Sequence, residues 1–86
     1  MKIYGAVIIE QGVTFAVISV KHYVTQYTYR LVQTRNELSQ FFPNMPIILM
    51  SRDQNGEPHY YGRKDIVEFL KSIRVDQIPW KEYTLY

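Results

Sequence analysis

The sequence predicts a single α+β domain, in which a mixed and mostly antiparallel sheet of about five strands packs against two helices. The chain has 86 residues, which is enough for one hydrophobic core but not for two. Of these residues 47% are hydrophobic and 15% aromatic, a content that a chain this small needs in order to fold. Segments rich in β-branched and aromatic residues are interrupted by two segments with helical signals. The predicted order is β-β-β-α-β-β-α, followed by a C-terminal tail.

Residues 1–24 are predicted to form a β-hairpin. Residues 3–9 (IYGAVII) and 13–21 (VTFAVISVK) are dense in residue types that favour strands, and Gly12 between them can adopt the positive φ of a tight turn. Both segments are apolar on both faces, which indicates central strands that are covered on two sides. The alternative is a helix over residues 13–24, but valine, threonine and isoleucine are frequent there and disfavour it.

Residues 26–73 are predicted to form a β-α-β-β-α unit, of which residues 26–33 (QYTYRLVQ) are the first strand. Tyr27, Tyr29 and Leu31 would lie on one face of this strand, and the residues between them on the other. The second face carries polar side chains, so we expect a strand with one solvated face.

The first helix of this unit is predicted to start at Thr34. Thr34 and Glu37 have the spacing of a capping box, in which each side chain accepts a hydrogen bond from a backbone N–H at the start of a helix. Leu38 would then lie on the buried side. Pro43 is predicted to end the helix, because the residue before a proline avoids helical angles.

The unit continues with a second hairpin and a second helix. Residues 46–52 (PIILMSR) form a predicted strand, and the Asn-Gly sequence at 55–56 is a strong turn signal. Pro58 has no backbone donor, which places the returning strand toward a sheet edge. The tail, residues 74–86, is predicted either to add a last strand or to dock through Trp80. An amphipathic helix precedes the tail, with apolar residues at i, i+3, i+4 and i+7: Ile66, Phe69, Leu70 and Ile73.

Residues 27–73 resemble the C-terminal half of the thioredoxin and glutaredoxin fold. The resemblance rests on Met45-Pro46 before a buried strand, on Asn-Gly-Glu in the hairpin turn, on Gly62 after the edge strand, and on the helix sequence DIVEFL. It implies a cis peptide bond between Met45 and Pro46. It implies no activity, because that family works through a Cys-x-x-Cys motif and this chain has no cysteine. A ferredoxin-like β-α-β-β-α-β arrangement has the same order of elements and stays open as the alternative.

Several classes of function are excluded or disfavoured by composition. The absence of cysteine excludes a disulfide scaffold, thiol redox chemistry and a cysteine-based zinc site. No apolar run approaches the ~18 residues of a membrane span, and no cleavable signal is evident at the start. We therefore expect a cytoplasmic protein without a membrane partner, of a size typical of bacteria and phages. The net charge of +2 is scattered along the chain, which makes nucleic acid an unlikely partner.

No pattern of residues indicates catalysis, a metal site or a cofactor. His22 and His59 are the only histidines, and neither has a partner at the spacing of a catalytic or zinc motif. Carboxylates such as Asp53 and Asp65 fall at a predicted turn and a predicted helix start, where local backbone geometry accounts for them. The sequence therefore predicts a non-catalytic protein.

Tyrosine is unusually frequent, with eight copies in the chain. Because tyrosine is common both on half-buried strands and at protein interfaces, these residues predict either sheet packing or a contact surface. We expect a protein partner or a second copy of the chain. The alternative is a weak nucleic-acid-binding module that uses sheet tyrosines and scattered basic residues. The candidate contact surface comprises Tyr23, Tyr27, Tyr29, Arg30, Tyr60, Tyr61, Trp80 and Tyr83.

Overall fold

The computed structural model describes all 86 residues and confirms the α+β class with a mixed sheet of five strands. The elements are β1 (Lys2–Glu10), β2 (Val13–Ser19), α1 (His22–Gln26), α2 (Thr28–Ser39), β3 (Ile47–Arg52), β4 (Pro58–Tyr61), α3 (Lys64–Lys71), a short 3-10 helix (Val75–Gln77) and β5 (Lys81–Thr84). The strands lie in the order β4-β3-β2-β1-β5. Only β2 and β3 are parallel, and the other neighbours are antiparallel.

The predicted N-terminal hairpin is confirmed, and its strands occupy inner positions of the sheet. Gln11 and Gly12 make the turn with positive φ values of 51° and 78°. Ala16, Val17 and Ile18 in β2 are completely buried, as the apolar pattern on both faces predicted. The strand ends at Ser19 rather than at Lys21, because the chain becomes helical three residues later, at His22. Within residues 13–24, the alternative of a helix is therefore correct only for residues 22–24.

The predicted strand over residues 26–33 is wrong, because the chain there is helical. Tyr27 alone has extended backbone angles, with φ −120° and ψ 132°, and it separates α1 from α2. The two helices connect β2 to β3, which are parallel neighbours. The chain must therefore return from the end of one strand to the start of the next, and such crossover connections are usually helical. Apolar residues of both helices pack against the sheet: Val24 from α1, and Leu31 and Leu38 from α2. Leu31 and Leu38 are separated by about two helical turns, so they lie on the same side of α2.

The predicted capping box is also wrong. Thr34 and Glu37 lie inside α2, which has already begun at Thr28, so Thr34 is not the first residue of a helix. The predicted end is closer to the structure, since α2 ends at Ser39 and the chain then turns before Pro43.

The second hairpin and the tail complete the two edges of the sheet. β4 is an edge strand that begins at Pro58, as predicted. The tail adds β5 as the opposite edge, antiparallel to β1, and it also packs Trp80 against the core. The Met45–Pro46 peptide bond is trans, so the cis bond that the resemblance implied is not found.

The sheet divides the hydrophobic core into two layers. We call its two sides the α3 face and the crossover face, the second being covered by α1 and α2. The α3 face contains Ala6, Phe15, Val17, Ile48, Met50, Ile66, Leu70 and Ile78. The crossover face contains Ala16, Ile18, Leu38, Phe42, Ile47, Leu49 and Leu85. Because neighbouring strand residues point to opposite faces, aromatic residues that are adjacent in sequence can end up on different sides of the molecule.

Candidate functional site

Four of the predicted contact residues form one exposed group on the helical crossover, which we call the tyrosine patch: Tyr23, Tyr27, Tyr29 and Arg30. The tyrosines are 53%, 51% and 64% exposed. The Arg30 guanidinium carbon lies 5.7 Å from the ring centre of Tyr23 and 5.6 Å from that of Tyr29. The rings of Tyr27 and Tyr29 are 6.0 Å apart, and the Arg30 Nε donates to the Tyr29 hydroxyl oxygen at 3.2 Å.

The local fold explains why these side chains meet. Thr25 and Val24 turn inward, and the Thr25 Oγ1 lies 2.7 Å from the buried Ser51 Oγ of β3. This contact fixes α1 on the sheet, so Tyr23 is left on the outer side. The extended backbone at Tyr27 then bends the chain into α2, and the first turn of α2 is brought beside α1.

The crossover carries positive charge that no carboxylate neutralises. Residues 11–36 contain no aspartate or glutamate, but they include Lys21, Arg30 and Arg35. None of these three side chains takes part in a salt bridge. Uncompensated basic groups on one side of a protein attract anionic partners and steer their approach. The patch therefore combines aromatic area with a free positive charge.

A groove of about 700 Å³ adjoins the patch. It lies between the start of β1, the end of β2, α1 and the second half of α2, and Tyr23 forms part of its wall. Most of its lining residues are apolar, including Ile3, Val20, Val24 and Phe41, all of which are half-buried. The charged residues of the lining are Lys2, Lys21 and Glu37.

The structure separates the other four predicted residues from the patch. Tyr60 and Trp80 pack on the α3 face, where the Trp80 Nε1 donates to the Val75 carbonyl oxygen at 2.9 Å. The Tyr60 hydroxyl is buried without a hydrogen-bond partner, and this burial raises the pKa of Tyr60 above its usual 10.0. Tyr61 and Tyr83 are half-buried on opposite edge strands. The Tyr83 ring packs edge-on against Phe42, with 5.5 Å between ring centres.

Sequence reasoning missed the groove and three exposed residues outside the patch. Tyr4, Val7 and Ile9 in β1 are 57%, 39% and 72% exposed, although β1 was predicted to be covered on both faces. The pattern of β1 could not show this, because an apolar strand carries no information on how far the neighbouring helices extend. The groove brings together segments that are distant in the sequence.

His59 and Asp53 form a local pair in the turn between β3 and β4. The His59 Nε2 lies 2.9 Å from the Asp53 Oδ2, and the Asp53 Oδ1 accepts hydrogen bonds from the backbone N–H groups of Asn55 and Glu57. The hydrogen bond with His59, followed by that with Glu57, lowers the pKa of Asp53. These contacts close the turn between β3 and β4. His22 is exposed at the start of α1.

A second ion pair lies at the start of α3. Arg63 donates from both Nε and a terminal nitrogen to the two oxygens of Asp65, each at 2.8 Å. This pairing lowers the pKa of Asp65 and raises the pKa of Arg63. Both groups are on the surface, where such a pair contributes little to stability.

No group of three or more histidine, aspartate or glutamate side chains lies close enough together to bind a metal ion. None of the helices has the length and hydropathy that a membrane span requires. Comparison of the chain with protein-family models, with curated proteins and with solved structures found no match.

Proposed function

We propose that this chain is a small, non-catalytic, cytoplasmic protein that binds another protein through the tyrosine patch. The observation that carries the proposal is a group of three tyrosines, each more than half exposed, two of which face an arginine that no carboxylate neutralises. Tyrosine and arginine are the residue types that, together with tryptophan, most often dominate the binding energy of interfaces. The partner is therefore a protein whose contact surface carries aspartate or glutamate.

Core packing does not account for the patch. None of its four side chains belongs to either hydrophobic core or packs against one. The tyrosine rings lie on or between the two helices and are restrained by contacts with one another or with Arg30, so binding would cost less side-chain entropy than it would for free surface residues.

A catalytic role is less well supported by the polar groups. The His59–Asp53 pair resembles a base with an orienting carboxylate, but no serine or threonine hydroxyl is hydrogen-bonded to the His59 ring. Asp53 also receives two backbone N–H groups, which is the task of a turn residue.

A partner of a different kind is favoured over a second copy. In a symmetric dimer formed by two patches, Arg30 of each copy would face a surface that also carries an arginine and no carboxylate, because a two-fold interface uses the same surface twice. Like charges in an interface oppose association. Stacking of bases on sheet tyrosines is also less well supported, since Tyr27 and Tyr29 are not on the sheet.

The experiment compares the wild type with a Tyr29→Ala/Arg30→Ala variant and with a Tyr86→Ala control, which removes an exposed tyrosine outside the patch. Each protein is immobilised on a resin and incubated with a lysate of the source cells. Proteins that the wild type and the control capture, but the patch variant does not, are identified. A purified candidate is then titrated against all three. We expect the patch variant to bind at least about tenfold more weakly, the control to match the wild type, and affinity to fall with salt.

Equal binding of a purified partner to the wild type and the patch variant would overturn the proposal. Single-stranded DNA and RNA oligonucleotides are titrated in parallel at ~50 mM salt. Patch-dependent binding of an oligonucleotide, with no patch-dependent protein partner, would show instead that the aromatic residues stack on bases.

A further inference from the structure

The groove beside the tyrosine patch indicates what kind of partner segment the surface accepts, and this inference rests on the proposed function. Tyr23 connects the two features, because its ring faces Arg30 on one side and it lines the groove on the other. A partner bound at the patch would therefore lie across the mouth of the groove. With about 700 Å³, the groove is as large as a site for a drug-sized ligand, which gives it room for several apolar side chains.

The groove walls exclude the addition of an extended strand. β1 is paired with β5 from Lys2 to Gly5, and β2 has β1 on one side and β3 on the other. Beyond the end of β2, the Val20 N–H already donates to the Met50 carbonyl oxygen at 2.8 Å. An extended peptide in this groove would find no free strand edge, and its backbone N–H and C=O groups would be left without partners against apolar walls.

An α-helix does not have this difficulty, because it satisfies its backbone hydrogen bonds internally. Helices that bind in apolar grooves insert residues spaced at i, i+3 or i+4, and i+7, and leave their polar side in solvent. The half-buried residues Ile3, Val20, Val24 and Phe41 offer such an apolar floor, with exposed polar groups at the rim.

The charges at the rim determine the polar side of this helix. Lys21 is exposed and lines the groove. Arg30 does not line it, but its guanidinium carbon lies 5.7 Å from the ring centre of Tyr23, which does. Glu37 is the only carboxylate of the lining. We propose that the groove binds an acidic amphipathic α-helix of the partner protein, whose apolar residues enter the groove and whose carboxylates contact Lys21 and Arg30.

The experiment selects peptides of about 16 residues from a random display library on the immobilised wild-type protein; this is the length at which isolated helices become stable enough to form. We expect the enriched peptides to combine apolar residues at helical spacing with an excess of aspartate and glutamate. A synthetic copy of the best peptide should gain helical circular dichroism on binding.

Matched variants locate the site of binding. Phe41→Ala removes part of the groove wall, and Phe69→Ala is its control, since Phe69 is also half-buried but packs on the α3 face. Lys21→Glu reverses an exposed charge at the rim, and Lys64→Glu reverses an exposed charge at the start of α3. We expect Phe41→Ala and Lys21→Glu each to weaken peptide binding by roughly tenfold or more, and neither control to do so. If the phenylalanine variants are too unstable to compare, the comparison of Lys21→Glu with Lys64→Glu still tests whether the peptide binds at the groove.

The outcomes distinguish the two proposals. Binding that is lost in Tyr29→Ala/Arg30→Ala but kept in both Phe41→Ala and Lys21→Glu would overturn the proposal that a helix binds in the groove. The proposed function would not be affected. Peptides that stay extended when bound, or a library that yields no patch-dependent peptide, would also overturn the proposal of a bound helix. Self-association of the wild type that Lys21→Glu abolishes would identify a second copy as the occupant instead.

Discussion

At the scale of single residues, the interior contains a buried hydrogen bond between the hydroxyl groups of Thr25 and Ser51. Ser51 is 1% and Thr25 8% exposed, and their oxygens are 2.7 Å apart. Thr25 Oγ1 also donates to the His22 carbonyl oxygen at 3.2 Å, so the Ser51 hydroxyl is the donor to Thr25. This pair is the link that holds α1, and with it Tyr23, on the sheet.

This pair allows a test in which we expect a double substitution to destabilise the protein less than one of the single substitutions. Thr25→Val keeps the shape but leaves the Ser51 hydroxyl buried without a partner, which costs about 1–3 kcal/mol. Adding Ser51→Ala removes that orphaned hydroxyl, so we expect the double variant to be more stable than Thr25→Val alone. Urea unfolding of the wild type, both single variants and the double variant measures this. Strictly additive losses would show that the two hydroxyls do not depend on each other.

At the scale of secondary-structure elements, the success of sequence reasoning depended on whether a signal was local. The turns at Gly12 and at residues 55–56 were predicted correctly, because glycine accepts the positive φ that both turns require, 78° at Gly12 and 82° at Gly56. The strand predicted over residues 26–33 failed because the helical period of α2 is weak in the sequence. Its least exposed positions are Leu31, Thr34, Arg35 and Leu38, and two of these four are polar. The parallel pairing of β2 with β3 decides between strand and helix, and no local pattern reveals that pairing.

The turn between β3 and β4 gives stability a pH dependence. The pKa of Asp53 lies below its usual 3.8 in the folded protein, chiefly because of the hydrogen bond with His59. A carboxyl group whose pKa is lowered by folding stabilises the fold above its unfolded pKa, and this contribution disappears as the pH falls through the folded value. We expect the wild type to be more stable than Asp53→Asn near neutral pH, by a small amount because the site is exposed.

The measurement is the free energy of unfolding of both proteins between about pH 6 and pH 2. The asparagine keeps an oxygen that can accept the N–H groups of Asn55 and Glu57, so the comparison removes the charge and the oxygen that faces His59 but spares the backbone hydrogen bonds of the turn. The two curves should converge as the pH falls through the folded pKa of Asp53, which lies below 3.8. A stability difference that is the same at both ends of the range would show that ionisation of Asp53 is not its cause.

At the scale of the whole molecule, the candidate site depends on how the two faces of the sheet are covered. The sequence predicted Tyr23, Tyr27, Tyr29 and Arg30 as contact residues and placed most of them on a strand, whereas the structure brings them together on the helical crossover. It could not show that Trp80 is used on the α3 face, because that requires knowing where the tail crosses the sheet. Residue type therefore predicted the chemistry of the surface, and tertiary packing decided which residues share it.

The same question of coverage arises along the outer edge of β1. Leu85 and Met1 exchange backbone hydrogen bonds of 2.7 Å and 3.1 Å, and by antiparallel alternation the pair of Gly5 and Lys81 is also of the hydrogen-bonded type. The next such partner along β5 would be Pro79, which has no backbone N–H. Pairing accordingly stops at Gly5, and the rest of β1 has no strand on that side.

Val7 and Ile9 therefore direct their N–H and C=O groups outward from an uncovered edge, and their side chains are 39% and 72% exposed. An apolar, unpaired strand edge promotes association between copies, and a lysine on such an edge opposes it. We expect Ile9→Lys to reduce light scattering by concentrated protein while changing the free energy of unfolding by less than about 0.5 kcal/mol. Val32→Lys is the control, because Val32 is 43% exposed on α2, away from any strand edge. An equal effect of both variants would mean that general charge, and not the open edge of β1, governs association.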